Sequence, residues 1–273
     1  MWRTLIAKTA RITIGTLLGL PIVLYLLQEK LLFFPQRLDA DDLKRIRQTF
    51  PEAEEIALSA DDGTRLHGWL MRSHDSAVTP LVIYFGGNAE EVSYLLEHHP
   101  QLRGWSLLLM NYRGFGASGG KPGEAALFSD ALRVYDAMRV HPGIDVQRIA
   151  VMGRSLGSGV AVYLASQRPV RGVVLVTPFD SVTEIAEQRF SYIPVRLLLK
   201  HPFDSLARAP AVQYPALVLA AENDSVIPSH HARSLFNAWG GPKSWHLLTG
   251  TDHIDISDHP DYWELIADFL EAI

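Results

Sequence analysis

Residues 148–168 read RIAVMGRSLGSGVAVYLASQR, and the change of character in the middle of this stretch decides the fold. RIAVM is a short apolar run of strand type. SGVAVYLASQ follows at once with the composition of a buried helix. The join is Gly153-Arg154-Ser155-Leu156-Gly157. A serine on so sharp a strand-to-helix turn has a strained backbone and presents its Oγ above the sheet edge. Gly153 and Gly157 leave room for strand and helix to approach closely. The helix N-terminus supplies N–H donors and partial positive charge beside a reacting carbonyl. Ser155 is thus the candidate nucleophile; the plainer alternative is a helix-capping serine. Gly116-Ala117-Ser118-Gly119-Gly120 fits the same spacing, but Lys121-Pro122-Gly123 follows it. No helix starts there, so Ser118 reads as a loop residue.

Outward from this turn, strands and helices alternate. Apolar runs at 80–85 (PLVIYF), 105–112 (WSLLLMNY), 148–153 (RIAVMG), 171–177 (RGVVLVT), 214–221 (YPALVLAA) and 244–250 (SWHLLTG) read as strands. Most are apolar throughout rather than alternating, which suits a sheet covered on both faces. A hairpin is expected around Asp61-Asp62-Gly63. Helical spacing marks 123–141, 158–168, 229–239 and 258–273. The expected architecture is α/β, with a mainly parallel central sheet flanked by helices. Residues 181–212 read as an excursion over the sheet, a small lid.

The serine needs a base within hydrogen-bond reach, and the base needs an acid to hold its tautomer. With the chain order Ser, acid, His, His246, His253 and His259 are the available histidines. His246 falls inside a strand and His259 at the start of the last helix. His253 falls in the loop after the final strand, at the sheet edge that carries Ser155. For the acid, Asp224 sits on the loop after 214–221, with Glu222 beside it and Asp180 one strand earlier as alternatives. Asp252 and Asp255 are expected to shape the histidine loop.

The amino terminus has a different character. Ile12 to Leu27 (ITIGTLLGLPIVLYLL) carries no charge, with Arg3, Lys8 and Arg11 before it. Sixteen helical residues reach about 24 Å, short of the roughly 30 Å hydrocarbon core, a gap that snorkelling of Arg11 and Lys30 covers. A cleaved signal peptide would need small residues after the run, and QEKLLFFP offers none. Residues 1–34 are therefore expected to be a membrane anchor and 35–273 the enzymatic domain. The basic flank places the N-terminus in the cytoplasm and the domain across the membrane, although Lys44, Arg45 and Arg47 weaken that bias. Deleting residues 1–30 is expected to release a soluble protein still active on a short ester.

Composition closes off other classes. Of 273 residues, 48% are hydrophobic and 20% charged, which excludes a disordered chain. The 25 Lys+Arg against 30 Asp+Glu give a net charge of −5, and without a basic run no nucleic-acid partner is expected. There is no cysteine, so thiolate chemistry and Cys-ligated metals are excluded. The histidines lack a zinc-protease spacing, and no metal or cofactor is expected.

Over about residues 30–273 the chain resembles the α/β-hydrolase superfamily, in particular its small-lid serine hydrolases. The likeness rests on GRSLG together with FGGN (85–88), NYRGFGASGGKPGE (111–124), ENDSVIP (222–228) and TDHID (251–255). It implies a Ser155–His253–Asp224 triad with the Leu156 and Asn88 N–H groups as oxyanion donors. Related proteins usually have His-Gly-Asn where this chain has Gly86-Gly87-Asn88, a change expected to loosen the loop. The implied activity is hydrolysis of carboxylic esters or thioesters of acyl lipids or acylated substrates, as in lysophospholipases, acylglycerol lipases and protein depalmitoylases. A serine peptidase or amidase, or a catalytically silent interaction module, stays open beside it.

Overall fold

The computed structural model describes residues 19–273. Eight strands form one sheet in the order β1-β2-β4-β3-β5-β6-β7-β8. They are β1 (Glu54–Ser59), β2 (Arg65–Met71), β3 (Thr79–Phe85), β4 (Ser106–Asn111), β5 (Ile144–Arg154), β6 (Val173–Val176), β7 (Ala216–Ala221) and β8 (Lys243–Leu248). The hairpin β1–β2 is antiparallel, as is β2 against β4. Every later pairing is parallel, so six neighbouring strands present their carboxyl ends at one edge.

Both faces of the sheet are covered, which explains the unbroken apolar runs. In β5, Ile149 and Val151 join one core, and Ala150 and Met152 the other. The first core takes in α3 (Glu124–Met138), α4 (Leu156–Gln167) and α8 (Ser229–Ala238); the second takes in α9 (Tyr262–Ala272). The second face also carries a 3-10 helix over Val92–Leu102, an element the periodicity of the sequence does not announce. Pro100 lies within it, and a three-residue turn does not produce the 3.6 spacing of an α-helix.

Residues 181–212 form α5 (Val182–Arg189), α6 (Val195–Leu198) and α7 (Ser205–Arg208), with a 3-10 turn at Ala209–Ala211. They leave the sheet after β6 and return to it at β7. The stretch expected to hold the membrane anchor, 12–27, lies partly outside the described residues. Within them, residues 19–32 are helical and are labelled α1. Among the described residues, no helix is long and apolar enough to cross a membrane.

The segment that follows α1 is built into the body. Phe33 is buried in the first core, edge-on to His201 and Phe203. The Gly116 N–H donates to Gln36 O at 2.7 Å, and the Leu38 N–H donates to Gly116 O at 3.1 Å. A capping box at Asp39 and Asp42 then starts α2 (Ala40–Thr49).

Candidate active site

Ser155 occupies the single residue between β5 and α4, at φ 51° and ψ −120°. Side chains rarely adopt this region, and holding one there costs about 1–3 kcal/mol. The surroundings enforce it. A Cβ on Gly153 would lie 2.2 Å from Gly157 O, and a Cβ on Gly157 would lie 2.0 Å from Phe85 O. Any larger residue at either place would force β5, α4 and β3 apart.

The loops after β7 and β8 meet Ser155 at the carboxyl edge of the sheet. His253 Nε2 lies 2.9 Å from Ser155 Oγ. On its other side His253 Nδ1 lies 2.8 Å from Asp224 Oδ2. The second Asp224 oxygen accepts the N–H groups of Val226 (3.0 Å) and Ile227 (2.6 Å), which fixes the carboxylate. The Asp224 side chain is 2% exposed, so little water competes for it. With Nδ1–H donating to the carboxylate, Nε2 keeps a lone pair directed at the serine hydroxyl.

The alternatives are occupied elsewhere. Glu222 accepts the Gly250 N–H at 2.8 Å. Asp180 lies 2.8 Å from Nδ1 of a different histidine, His231. Ser118 is buried, accepting from the His67 N–H at 2.9 Å and donating to Asn111 O at 3.0 Å. His246 stays within β8, and His259 follows the short turn Ile256–Asp258. Asp252 and Asp255 hold the histidine loop: Asp252 accepts the N–H groups of Ser225 and His253, and Asp255 accepts the N–H of Asp252.

The loop after β3 is braced rather than loose, contrary to the expectation drawn from Gly86. Tyr112 donates its hydroxyl to Gly86 O at 2.9 Å. The Gly87 N–H donates to Glu90 at 2.6 Å. Asn88 is held from the segment after α1: the Phe34 N–H donates to Asn88 O at 2.9 Å, and Asn88 Nδ2 donates to Leu32 O at 3.0 Å. A histidine at 86 would require Val92 to shift, since even a Cβ would approach Val92 Cγ1 to 2.9 Å. The Asn88 and Leu156 N–H groups make no backbone hydrogen bond among the described residues.

Two hollows flank this edge. A cleft that holds charged groups is lined by Gly87, Asn88, Glu90, Tyr94, Arg154, Ser155, His253 and Ile254, among others. An apolar groove lies between α1 and the excursion, with Leu24, Leu31 and Leu32 on one wall and Phe190, Ile193 and Leu199 on the other. Leu32, on the wall of the groove, accepts a hydrogen bond from Asn88, on the wall of the cleft. Among the described residues, no group of three or more His, Cys, Asp or Glu side chains is placed to hold a metal ion.

Sequence reading missed Glu90, Arg154 and the segment 32–38. The only signal for any of them was the charged second residue of the Gly153–Gly157 pentapeptide.

Comparison with known proteins follows the same lines. A serine hydrolase family model matches residues 136–272, and an α/β-hydrolase fold model matches residues 66–195. An uncharacterized protein of Mycobacterium tuberculosis is 32% identical over 87% of this chain and 84% of its own. The α/β-hydrolase domain-containing protein WAV2 of Arabidopsis thaliana is 26% identical over 80% of this chain and 78% of its own. An esterase of Pyrococcus furiosus superposes with a TM-score of 0.68 at 18% identity, covering 88% of this chain and 97% of that one. The strained serine turn, the parallel sheet and the family matches agree: this chain belongs to the serine hydrolases of the α/β-hydrolase superfamily.

Proposed function

We propose that the protein hydrolyses carboxylic esters or thioesters carrying an acyl chain, with Ser155 as nucleophile, His253 as general base and Asp224 as its orienting acid. The observation that carries this reading is the unbroken relay from Ser155 Oγ through both nitrogens of His253 to a buried carboxylate. Ser155 Oγ bonds to the carbonyl carbon while His253 Nε2 takes its proton. The negative charge that gathers on the carbonyl oxygen is met by the Leu156 and Asn88 N–H groups. When the carbonyl re-forms, the bond to the leaving alcohol or thiol breaks, and His253 returns the proton to that group. Water then attacks the acyl-serine by the same steps, releasing the acid and restoring the serine.

The acyl chain is assigned to the groove between α1 and the excursion, whose lining is almost wholly apolar. Attachment to a membrane belongs to this proposal. Ile22, Val23, Leu26 and Leu27 of α1 are exposed, as are Tyr192 and Leu197 on the excursion. A lipid surface is the partner that would cover such an array at least cost.

The decisive test is labelling by a fluorophosphonate, with turnover of p-nitrophenyl esters of rising chain length. Wild type should label and Ser155→Ala should not. Turnover (kcat/KM) should rise with chain length by up to about fourfold per methylene while the chain still fits the groove. Equal labelling of Ser155→Ala removes the nucleophile assignment. A flat chain-length series removes the acyl groove.

A further inference from the structure

Glu90 and Arg154 take no bond-making part in the proposed reaction, yet both line the cleft beside Ser155. Their contacts lie on opposite sides of the serine. One Glu90 oxygen accepts the Gly87 N–H at 2.6 Å. The other accepts the Tyr84 hydroxyl at 2.7 Å and the Tyr94 hydroxyl at 2.9 Å. Arg154 Nη2 donates to His253 O at 3.1 Å and to Ile254 O at 2.8 Å. Arg154 Nη1 stands 3.9 Å from the Glu90 oxygen that holds Gly87, and the two side chains are 15% and 10% exposed. One charged pair therefore grips the loop that carries Asn88 and the loop that carries His253.

We infer that Glu90 and Arg154 are positioning residues that fix the Asn88 N–H and the His253 imidazole relative to Ser155 across the cleft. The inference rests on the proposed roles of Ser155, His253 and Asn88. The Gly87 N–H is the neighbour of the proposed oxyanion donor. While Glu90 holds it, that N–H is not available to the substrate, and the Gly86–Gly87 peptide, whose carbonyl also accepts the Tyr112 hydroxyl, cannot turn freely just ahead of Asn88. Arg154 belongs to the last pair of the β5–β6 register, opposite Val176, so its backbone is fixed by the sheet. Its guanidinium thus ties the loop after β8 to a rigid strand.

The electrostatics suit a permanent clamp. Burial works against the charge of Arg154, but its anionic surroundings, with the Glu90 carboxylate 3.9 Å away, outweigh it and hold the guanidinium above the usual arginine range. Burial, with Glu90 adding to it, pushes the Tyr84 and Tyr94 phenols up, so both stay protonated as donors. A charged acceptor and a charged donor in a largely buried site hold their geometry better than neutral bonds do.

The test measures kcat and KM on a short p-nitrophenyl ester, normalised by fluorophosphonate titration of active sites, with thermal unfolding alongside. Glu90→Gln keeps the shape but puts an amide N–H among groups that are all donors. Arg154→Met removes both donations to the histidine loop. Each should lower kcat by about 10–100-fold, with KM within about twofold, because small misplacements of reacting groups are costly. Arg154→Lys, which reaches one carbonyl at most, should recover part of the loss. The double variant should lose much less than the product of the single losses, because breaking either half opens the same clamp. Tyr94→Phe, which removes one partly exposed donor, is the mild variant if the others fold poorly. It should cost about two- to fivefold in kcat.

An unchanged kcat overturns the inference. So does a rise in KM alone, which would make these side chains substrate contacts. Strictly multiplicative single losses would also overturn it. If wild type hydrolyses the ester and Ser155→Ala does not, such results count against the clamp alone. If Ser155→Ala stays active, the catalytic reading itself has failed.

Discussion

The molecule carries two buried histidine–aspartate pairs of the same geometry. His253 Nδ1 lies 2.8 Å from Asp224, and His231 Nδ1 lies 2.8 Å from Asp180. The pairs differ at the far nitrogen. His253 Nε2 faces a serine hydroxyl at 2.9 Å, whereas His231 Nε2 meets the Gln188 amide of α5 at 3.2 Å. The first pair joins two loops to a strained turn. The second joins the excursion to α8. An imidazole oriented by a carboxylate is only half of a proton relay; the other half is a nucleophile held within reach by backbone that can go nowhere else. Where an amide takes that place, the same pair serves as a strut.

The largest effect that would sharpen this contrast is on rate. Asp224→Asn should lower kcat/KM by about 10³–10⁴-fold, because an amide there favours the wrong tautomer of His253. Asp180→Asn should leave turnover of a short soluble ester within about threefold. Equal losses from the two variants would break the comparison and make Asp180 part of the relay.

Stability should separate the pairs in the opposite sense. Asp180 also accepts the Ser181 N–H at 2.6 Å, so its carboxylate closes the entry to the excursion. Weakening that buried cluster costs about 1–3 kcal/mol, or roughly 3–10 °C in Tm. Asp180→Asn should show this drop by calorimetry. A Tm equal to wild type would mean that the pair holds nothing.

The smallest expected effect concerns a histidine paired with glutamate. His67 is fully buried in β2, with Nε2 2.9 Å from Glu55 and Nδ1 without a hydrogen-bond partner among the described residues. Burial, which outweighs the pull of Glu55, lowers its pKa below the ordinary 6.5. On acidification from about pH 7 the unfolded chain takes up this proton before the folded one does. The folded state therefore loses stability as pH falls from the unfolded value through the folded one. His67→Gln should flatten that part of the Tm-against-pH curve between pH 7 and 5. An unchanged slope would show that His67 already carries its proton in the fold.

These contrasts also mark what the sequence makes legible. Ser155 stands out because a strand, a pentapeptide and a helix adjoin along the chain. Asp224 and His253 follow from chain order and from loops that must end at the same sheet edge. Asp180 could be weighed as an acid, but its partner could not be foreseen: His231 lies 51 residues further on, and only folding brings it to Asp180. Glu90 and Arg154 were hidden for the same reason. Arg154 meets carbonyls 99 and 100 residues away, and a charged residue at the end of a strand looks solvated until the loop opposite is placed. Gly86 misled in the opposite direction. The missing imidazole suggested slack, while the restraint came from Tyr112, Glu90 and the chain preceding Asn88.

That preceding chain has a consequence of its own. Leu32 and Phe34 hold Asn88 through two hydrogen bonds spanning more than fifty positions of sequence. A protease cutting on the carboxyl side of Phe34 would do more than shorten the chain. It would take both restraints away with the discarded piece, so a cut far from the loop after β3 in sequence would untie that loop, and residues 32–34 would act as its fuse.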